Sequence, residues 1–131
     1  MKKQFIISVF VAVVLLSGCK NKETTSNPLA GKWRSVAENA LEFSLTFNKD
    51  NSYISLTKGT DTKYTITGKY HISKDSLFIR DTLNKPLVIC TYIDTGCYVF
   101  TQHHDTITFR AIKDMCERRR LAFEIGLIRM K

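Results

Sequence analysis

Leu41-Glu42-Phe43-Ser44-Leu45-Thr46-Phe47 alternates apolar and polar side chains without a break, and Asn48-Lys49-Asp50-Asn51 follows it. A period of two puts Leu41, Phe43, Leu45 and Phe47 on one face of a strand and Glu42, Ser44 and Thr46 on the other. The four residues after it are turn formers. The same grammar repeats in both directions along the chain. Gly31–Val36 reads as the first strand and Tyr53–Thr57 as a third. Lys58-Gly59-Thr60-Asp61 turns again. Tyr64, Ile66, Gly68, Tyr70 and Ile72 then alternate with Lys63, Thr65, Thr67, Lys69 and His71. After a turn at Ser73-Lys74-Asp75 come Leu77–Arg80, Leu87–Ile93, Cys97–Thr101 and Thr106–Ile112. The last run, Leu121-Ala122-Phe123-Glu124-Ile125-Gly126-Leu127, alternates once more. Helix is scarcely visible, with one turn expected within Val36–Leu41.

About eight to nine short strands, with turn signals roughly every 8–12 residues, predict an all-β fold. One polar face per strand suits an antiparallel sheet with one side in water. Short turns favour up-and-down order, and closing the sheet into a barrel removes the edges that a small open sheet would expose. Gly68, inside a strand, predicts a bulge or bend.

The N-terminus is different. Met1-Lys2-Lys3 is basic, and Phe5–Leu16 is apolar apart from Ser8. That run is too short for the roughly 20 residues of a spanning helix. A basic start, a short apolar stretch and small residues at its end form a secretory signal. Leu16-Ser17-Gly18-Cys19 resembles the lipobox of bacterial lipoproteins. The resemblance implies that residues 1–18 are removed and that Cys19 receives a diacylglycerol. More than one acyl chain then holds the protein stably on a membrane. Residues 19–28 are polar and read as a flexible tether, leaving residues 29–131 as one domain. The expected location is the cell envelope, at the outer membrane, on either its periplasmic or its surface face. Lys20 is not the aspartate that a resemblance to inner-membrane retention signals requires.

The chain has 20 Lys and Arg against 12 Asp and Glu. Cleavage would take Lys2 and Lys3, and the rest stays basic. The basic residues are scattered apart from Arg118-Arg119-Arg120, and no aromatic-basic motif of a nucleic-acid module is present. A membrane and a small ligand, or a protein partner, are therefore expected before nucleic acid. Of the four cysteines, Cys90, Cys97 and Cys116 remain once Cys19 is lipidated. Cys97 and Cys116 bracket the last hairpin, whose outer ends approach, and are the candidate disulfide; Cys90–Cys116, or no bridge at all, are the alternatives. No spacing suits zinc.

Gly31-Lys32-Trp33 at the first strand, and Asp114-Met115-Cys116-Glu117-Arg118-Arg119 after the strand Thr106–Phe109, together resemble small bacterial lipocalin-like lipoproteins. Met115 departs from the family's usual proline. The resemblance implies a lipocalin-like barrel in which a late arginine, Arg119 or else Arg118, packs over Trp33 and closes one end. It implies a ligand in the interior, whose candidate lining is Phe43, Leu45, Phe47, Tyr64, Tyr70 and Phe109. Alternation adds Trp33, Ile66, Ile72, Leu77, Ile79, Val99 and Ile107 to the inward set. Whether these side chains fill the barrel or wall a cavity is open at this level.

No catalytic constellation emerges, and no cofactor or metal is expected. Asp94-Thr95-Gly96 matches the triplet of aspartic proteases, but their chemistry needs two carboxylates sharing a proton, and only one triplet is present. It reads as a turn whose glycine takes a positive φ. His103 and His104 are adjacent and point apart. Tyr53-Ile54-Ser55-Leu56-Thr57-Lys58-Gly59 resembles a motif of membrane-bound inhibitors of c-type lysozyme, but the upstream partner motif is missing. Two functions remain: binding of a small apolar or amphipathic molecule inside the barrel, or a loop-mediated protein-interaction module such as a lysozyme inhibitor or an envelope scaffold.

Overall fold

A computed structural model describes residues 26–36, 42–82 and 94–131. Eight strands close into one antiparallel up-and-down barrel in sequential order: β1 (Gly31–Ser35), β2 (Glu42–Phe47), β3 (Ser52–Lys58), β4 (Lys63–Ser73), β5 (Ser76–Asp81), β6 (Gly96–His103), β7 (Thr106–Lys113) and β8 (Leu127–Arg129). Among the described residues one helix, α1 (Glu117–Phe123), lies between β7 and β8. The strand expected over Leu87–Ile93 and the helical turn expected within Val36–Leu41 fall largely outside the described residues.

Alternation sets the inside. Phe43, Leu45 and Phe47 of β2 are buried, as are Tyr70 of β4, Leu77 and Ile79 of β5, and Ile107 and Phe109 of β7. On β6 the inward residues are Tyr98 and Phe100, not Val99. Tyr98 can enter the core because its hydroxyl finds a carboxylate, that of Asp114.

Three hairpin turns hold a non-glycine residue at positive φ: Asn51 (62°), Lys74 (57°) and His104 (54°). Gly68 serves space rather than a bend. A Cβ there would lie 2.2 Å from the Arg80 carbonyl oxygen and 2.3 Å from Tyr53 Cε1. Its absence lets the Tyr53 ring lie across β4. Gly96 is similar: it has no positive φ, contrary to the turn expectation, and a Cβ would meet Asp114 Oδ2 at 2.5 Å.

The alternating run after Arg120 is not one long strand. Its first half is α1, capped by Cys116, whose Sγ accepts the Arg119 N–H at 3.4 Å. Asp114 Oδ1 accepts the Cys116 N–H at 2.8 Å. Glu-Arg-Arg-Arg-Leu-Ala is a run of good helix formers with Glu117 in the first turn. Arg119 and Phe123, four residues apart, are its buried pair.

One end of the barrel is closed by the segment before β1. Leu29 is fully buried, and its carbonyl accepts the Trp33 indole N–H at 2.8 Å. Asn27 Nδ2 donates to the Tyr70 hydroxyl, which itself donates to the Asn48 carbonyl at 2.7 Å. Asn27 and Pro28, assigned to the tether by sequence, are therefore bonded to the barrel. The cation over Trp33 is Arg129, with Cζ 4.2 Å from the ring centroid, and not Arg119. The β1–β8 register places Trp33 opposite Arg129, whereas Arg119 rides on α1. Gly31 completes the arrangement. Its φ is 126°, and a Cβ would lie 2.9 Å from Arg129 Nη1.

Cys97 is a free thiol on the outer side of β6, beside inward-facing Tyr98, while Cys116 caps the helix within the fold. The pairing Cys97–Cys116 is thus corrected. Cys116 is disulfide-bonded, and its partner lies outside the described residues. Cys90, the alternative partner, also lies outside them.

Candidate functional site

The end of the barrel away from Leu29 is not filled. Between the ends of β1–β5 and helix α1 lies a cavity of about 360 Å³. Phe43, Tyr53, Tyr64, Ile66, Phe123 and Ile125 form its apolar walls. Ser35, Ser55 and Thr57 add hydroxyls, and Asp81, Arg118 and Arg119 add charge. Tyr64 is half-buried and Leu121 of the rim is exposed, so the cavity opens to solvent.

Of the six interior candidates, Phe43 and Tyr64 line this cavity. Leu45, Phe47, Tyr70 and Phe109 lie inside the barrel in the packed core instead. There Phe47 meets Tyr70 edge-on at 4.8 Å between centroids, and Phe109 meets Phe123 at 5.3 Å. The barrel is thus filled toward the closed end and hollow toward the other.

A buried charge cluster forms one side of the hollow. The Arg119 side chain is 5% exposed and the Asp114 side chain is fully buried. Arg119 Nε donates to Asp114 Oδ2 and Nη2 to Asp114 Oδ1, both at 2.7 Å. This two-pronged geometry is the strongest form of the pair. Nη2 also donates to the Asp94 carbonyl at 3.0 Å, and Nη1 lies 3.0 Å from Asp81 Oδ1. The Tyr53 hydroxyl donates to Asp81 Oδ1 and the Tyr98 hydroxyl to Asp114 Oδ2.

The environment fixes the protonation states. Burial works to raise the Asp114 pKa, but hydrogen bonds from Arg119, Tyr98 and the Cys116 N–H outweigh it and hold the carboxyl below its ordinary value. Burial likewise opposes the Arg119 charge, and its bonds to Asp114 together with the Asp81 charge prevail. The tyrosines shift the other way. Burial, then the adjacent carboxylates, push Tyr53 and Tyr98 far above the phenol range, so both stay neutral donors.

Other sequence signals lie elsewhere. His103 and His104 sit exposed at the β6–β7 turn. Among the described residues, no three His, Cys, Asp or Glu side chains converge on one point. Lys58 is exposed at the end of β3, 3.4 Å from Glu42. No described helix is long and apolar enough to cross a membrane. Cys19 lies outside the described residues.

Sequence reasoning missed Tyr53, Asp81 and Asp114 as site residues. Asp114 lies five residues before Arg119 in one motif and meets it locally at the start of α1, whereas Asp81, at the end of β5, reaches the same arginine only through the closed barrel. Comparison with protein-family models, curated proteins and solved structures finds no match to this chain.

Proposed function

We propose that this is a lipid-anchored envelope protein that binds a small apolar or amphipathic molecule in the open end of its barrel. The observation that carries the reading is the cavity. Its volume, about 360 Å³, lies within the range of roughly 300–1,000 Å³ typical of small-molecule sites. Its make-up also fits, with mostly aromatic and aliphatic walls and a few polar groups gathered on one side. The segment from Asn27 enters at the closed end, so the opening lies at the end opposite the attachment of the tether.

The anchor rests on Leu16-Ser17-Gly18-Cys19, and the resemblance to small lipocalin-like lipoproteins adds the same expectation of a ligand. Incorporation of labelled palmitate, lost in Cys19→Ser, tests the anchor. Titration of the Cys19→Ser chain with the neutral fluorophore N-phenylnaphthylamine tests the cavity. Saturable binding is expected, and Phe43→Trp or Tyr64→Trp should abolish it by filling the space. Absence of binding, or binding indifferent to both substitutions, contradicts the reading and favours a loop-mediated protein partner.

A further inference from the structure

We infer that the cavity selects an amphipathic ligand whose polar head is a protonated amine, seated against the Asp81 carboxylate. The inference rests on the reading of the cavity as a ligand site and names the chemistry of its ligand. Asp81 ends β5 opposite Gly68 of β4. Because Gly68 has no side chain, Tyr53 crosses it and its hydroxyl reaches Asp81 Oδ1. Arg119 Nη1 approaches that same oxygen. Among the described residues, no donor reaches Oδ2. The Asp81 side chain keeps 19% of its surface and lines the cavity.

Charge points the same way. Two carboxylates, Asp81 and Asp114, face one guanidinium, and Tyr53 and Tyr98 add hydrogen-bond donors without charge. Within this buried cluster the carboxylates exceed the guanidinium by one charge, and the further cation of the cavity lining, Arg118, is exposed at the rim. A carboxylate or phosphate head would meet that negative excess and find Arg119 already engaged. Of its five N–H groups, three donate to Asp114 and the Asp94 carbonyl, and Nη1 is paired with Asp81.

An ammonium head fits better. It brings three donors, and Asp81 Oδ2 with the hydroxyls of Ser55 and Thr57 offers acceptors around one space. The rings of Phe43, Tyr53, Tyr64 and Phe123 line the same space, and aromatic faces attract cations. Arg118 also lines the cavity, but it is exposed, and water and salt screen its charge.

The test uses the Cys19→Ser chain and three probes with the same tail: octylammonium, octanol and octanoate, each displacing N-phenylnaphthylamine at neutral pH. Octylammonium should compete about tenfold more strongly than octanol, with octanoate weakest. Asp81→Asn should bring the amine level with the alcohol, while Lys49→Gln, an exposed residue in the β2–β3 turn outside the cavity, should alter neither. In the unsubstituted side-chain set, the Asp81 carboxyl carbon resonance should move with octylammonium and not with octanol; this reading holds even if Asp81→Asn fails to fold. Equal competition by all three probes, or octanoate strongest and weakened by Arg118→Gln, overturns the amine assignment while the ligand site stands. If neither the fluorophore nor any octyl probe binds, both readings fall.

Discussion

Arg129 lies over the Trp33 indole with its Cζ 4.2 Å from the ring centroid, and the same guanidinium donates to the Ala30 and Pro28 carbonyls at 2.8 and 2.9 Å. One side chain thus joins the last strand, the first strand and the segment that closes the barrel. Arg129→Ala should destabilise by about 1–3 kcal/mol, from the lost cation–π contact and the unpaired carbonyls. Arg129→Lys should recover only part, since an ammonium does not reproduce the planar fork. Urea denaturation followed by the emission of Trp33, the only tryptophan, measures both. An Arg129→Ala variant as stable as the parent would show that the contact is idle.

Asp114 and Arg119 form the buried pair on which α1 is set. Removing Asp114 strips the buried Arg119 of its two-pronged partner and leaves it Asp81 as its one carboxylate among the described residues, so Asp114→Ala should cost about 3–5 kcal/mol. The pH dependence has a definite sign. The Asp114 pKa is lower in the folded protein than its ordinary value of 3.8. Its contribution is therefore fully present above that value and is lost as pH falls through the folded pKa. Stability measured from pH 6 downward should drop more steeply in the parent than in Asp114→Asn. Parallel curves would contradict the assignment.

Gly68→Ala should be costly although the change is one methyl group. The new Cβ would sit within 2.3 Å of both the Arg80 carbonyl oxygen and the Tyr53 ring. About 1–3 kcal/mol is expected, as for overpacking elsewhere. The displaced Tyr53 would also lose its bond to Asp81 and intrude on the cavity, so N-phenylnaphthylamine binding should weaken in the same variant. A thermal melt and a titration of one preparation test both effects.

Thiol chemistry separates the cysteines. Cys97 is free and Cys116 is disulfide-bonded. Iodoacetamide applied to the unfolded chain without reductant should label Cys97 and spare Cys116, and prior reduction should expose Cys116. Peptide mapping that finds Cys116 labelled before reduction contradicts the bond.

The alternation in Phe43-Ser44-Leu45-Thr46-Phe47 and in Tyr64–Ile72 made the strands and much of the barrel interior legible, because a period of two states which face is buried. The same logic misled at Leu121–Leu127. There Phe123 satisfies both a strand period and the four-residue step from Arg119, and only the cap at Cys116 separates the two. The arginine over Trp33 was legible as a type of contact and not as a position. Arg129 reaches Trp33 through the pairing of the last strand with the first, and no local pattern encodes that register. The charge cluster was least visible. Asp114 and Arg119 stand in one short motif that was read for its arginine alone, nothing in the sequence ties Asp81 to them, and Gly68 and Gly96, which make room for the cluster, read locally as bends and turns.

The central claim, that the hollow end of the barrel holds a small molecule, is tested most directly by native mass spectrometry of the Cys19→Ser chain purified from the periplasm. The account predicts a species heavier than the bare polypeptide that returns to the bare mass after organic extraction, with the difference giving the occupant's mass. A bare mass alone, from protein whose circular dichroism shows the folded barrel and which then fails to take up N-phenylnaphthylamine, would contradict it.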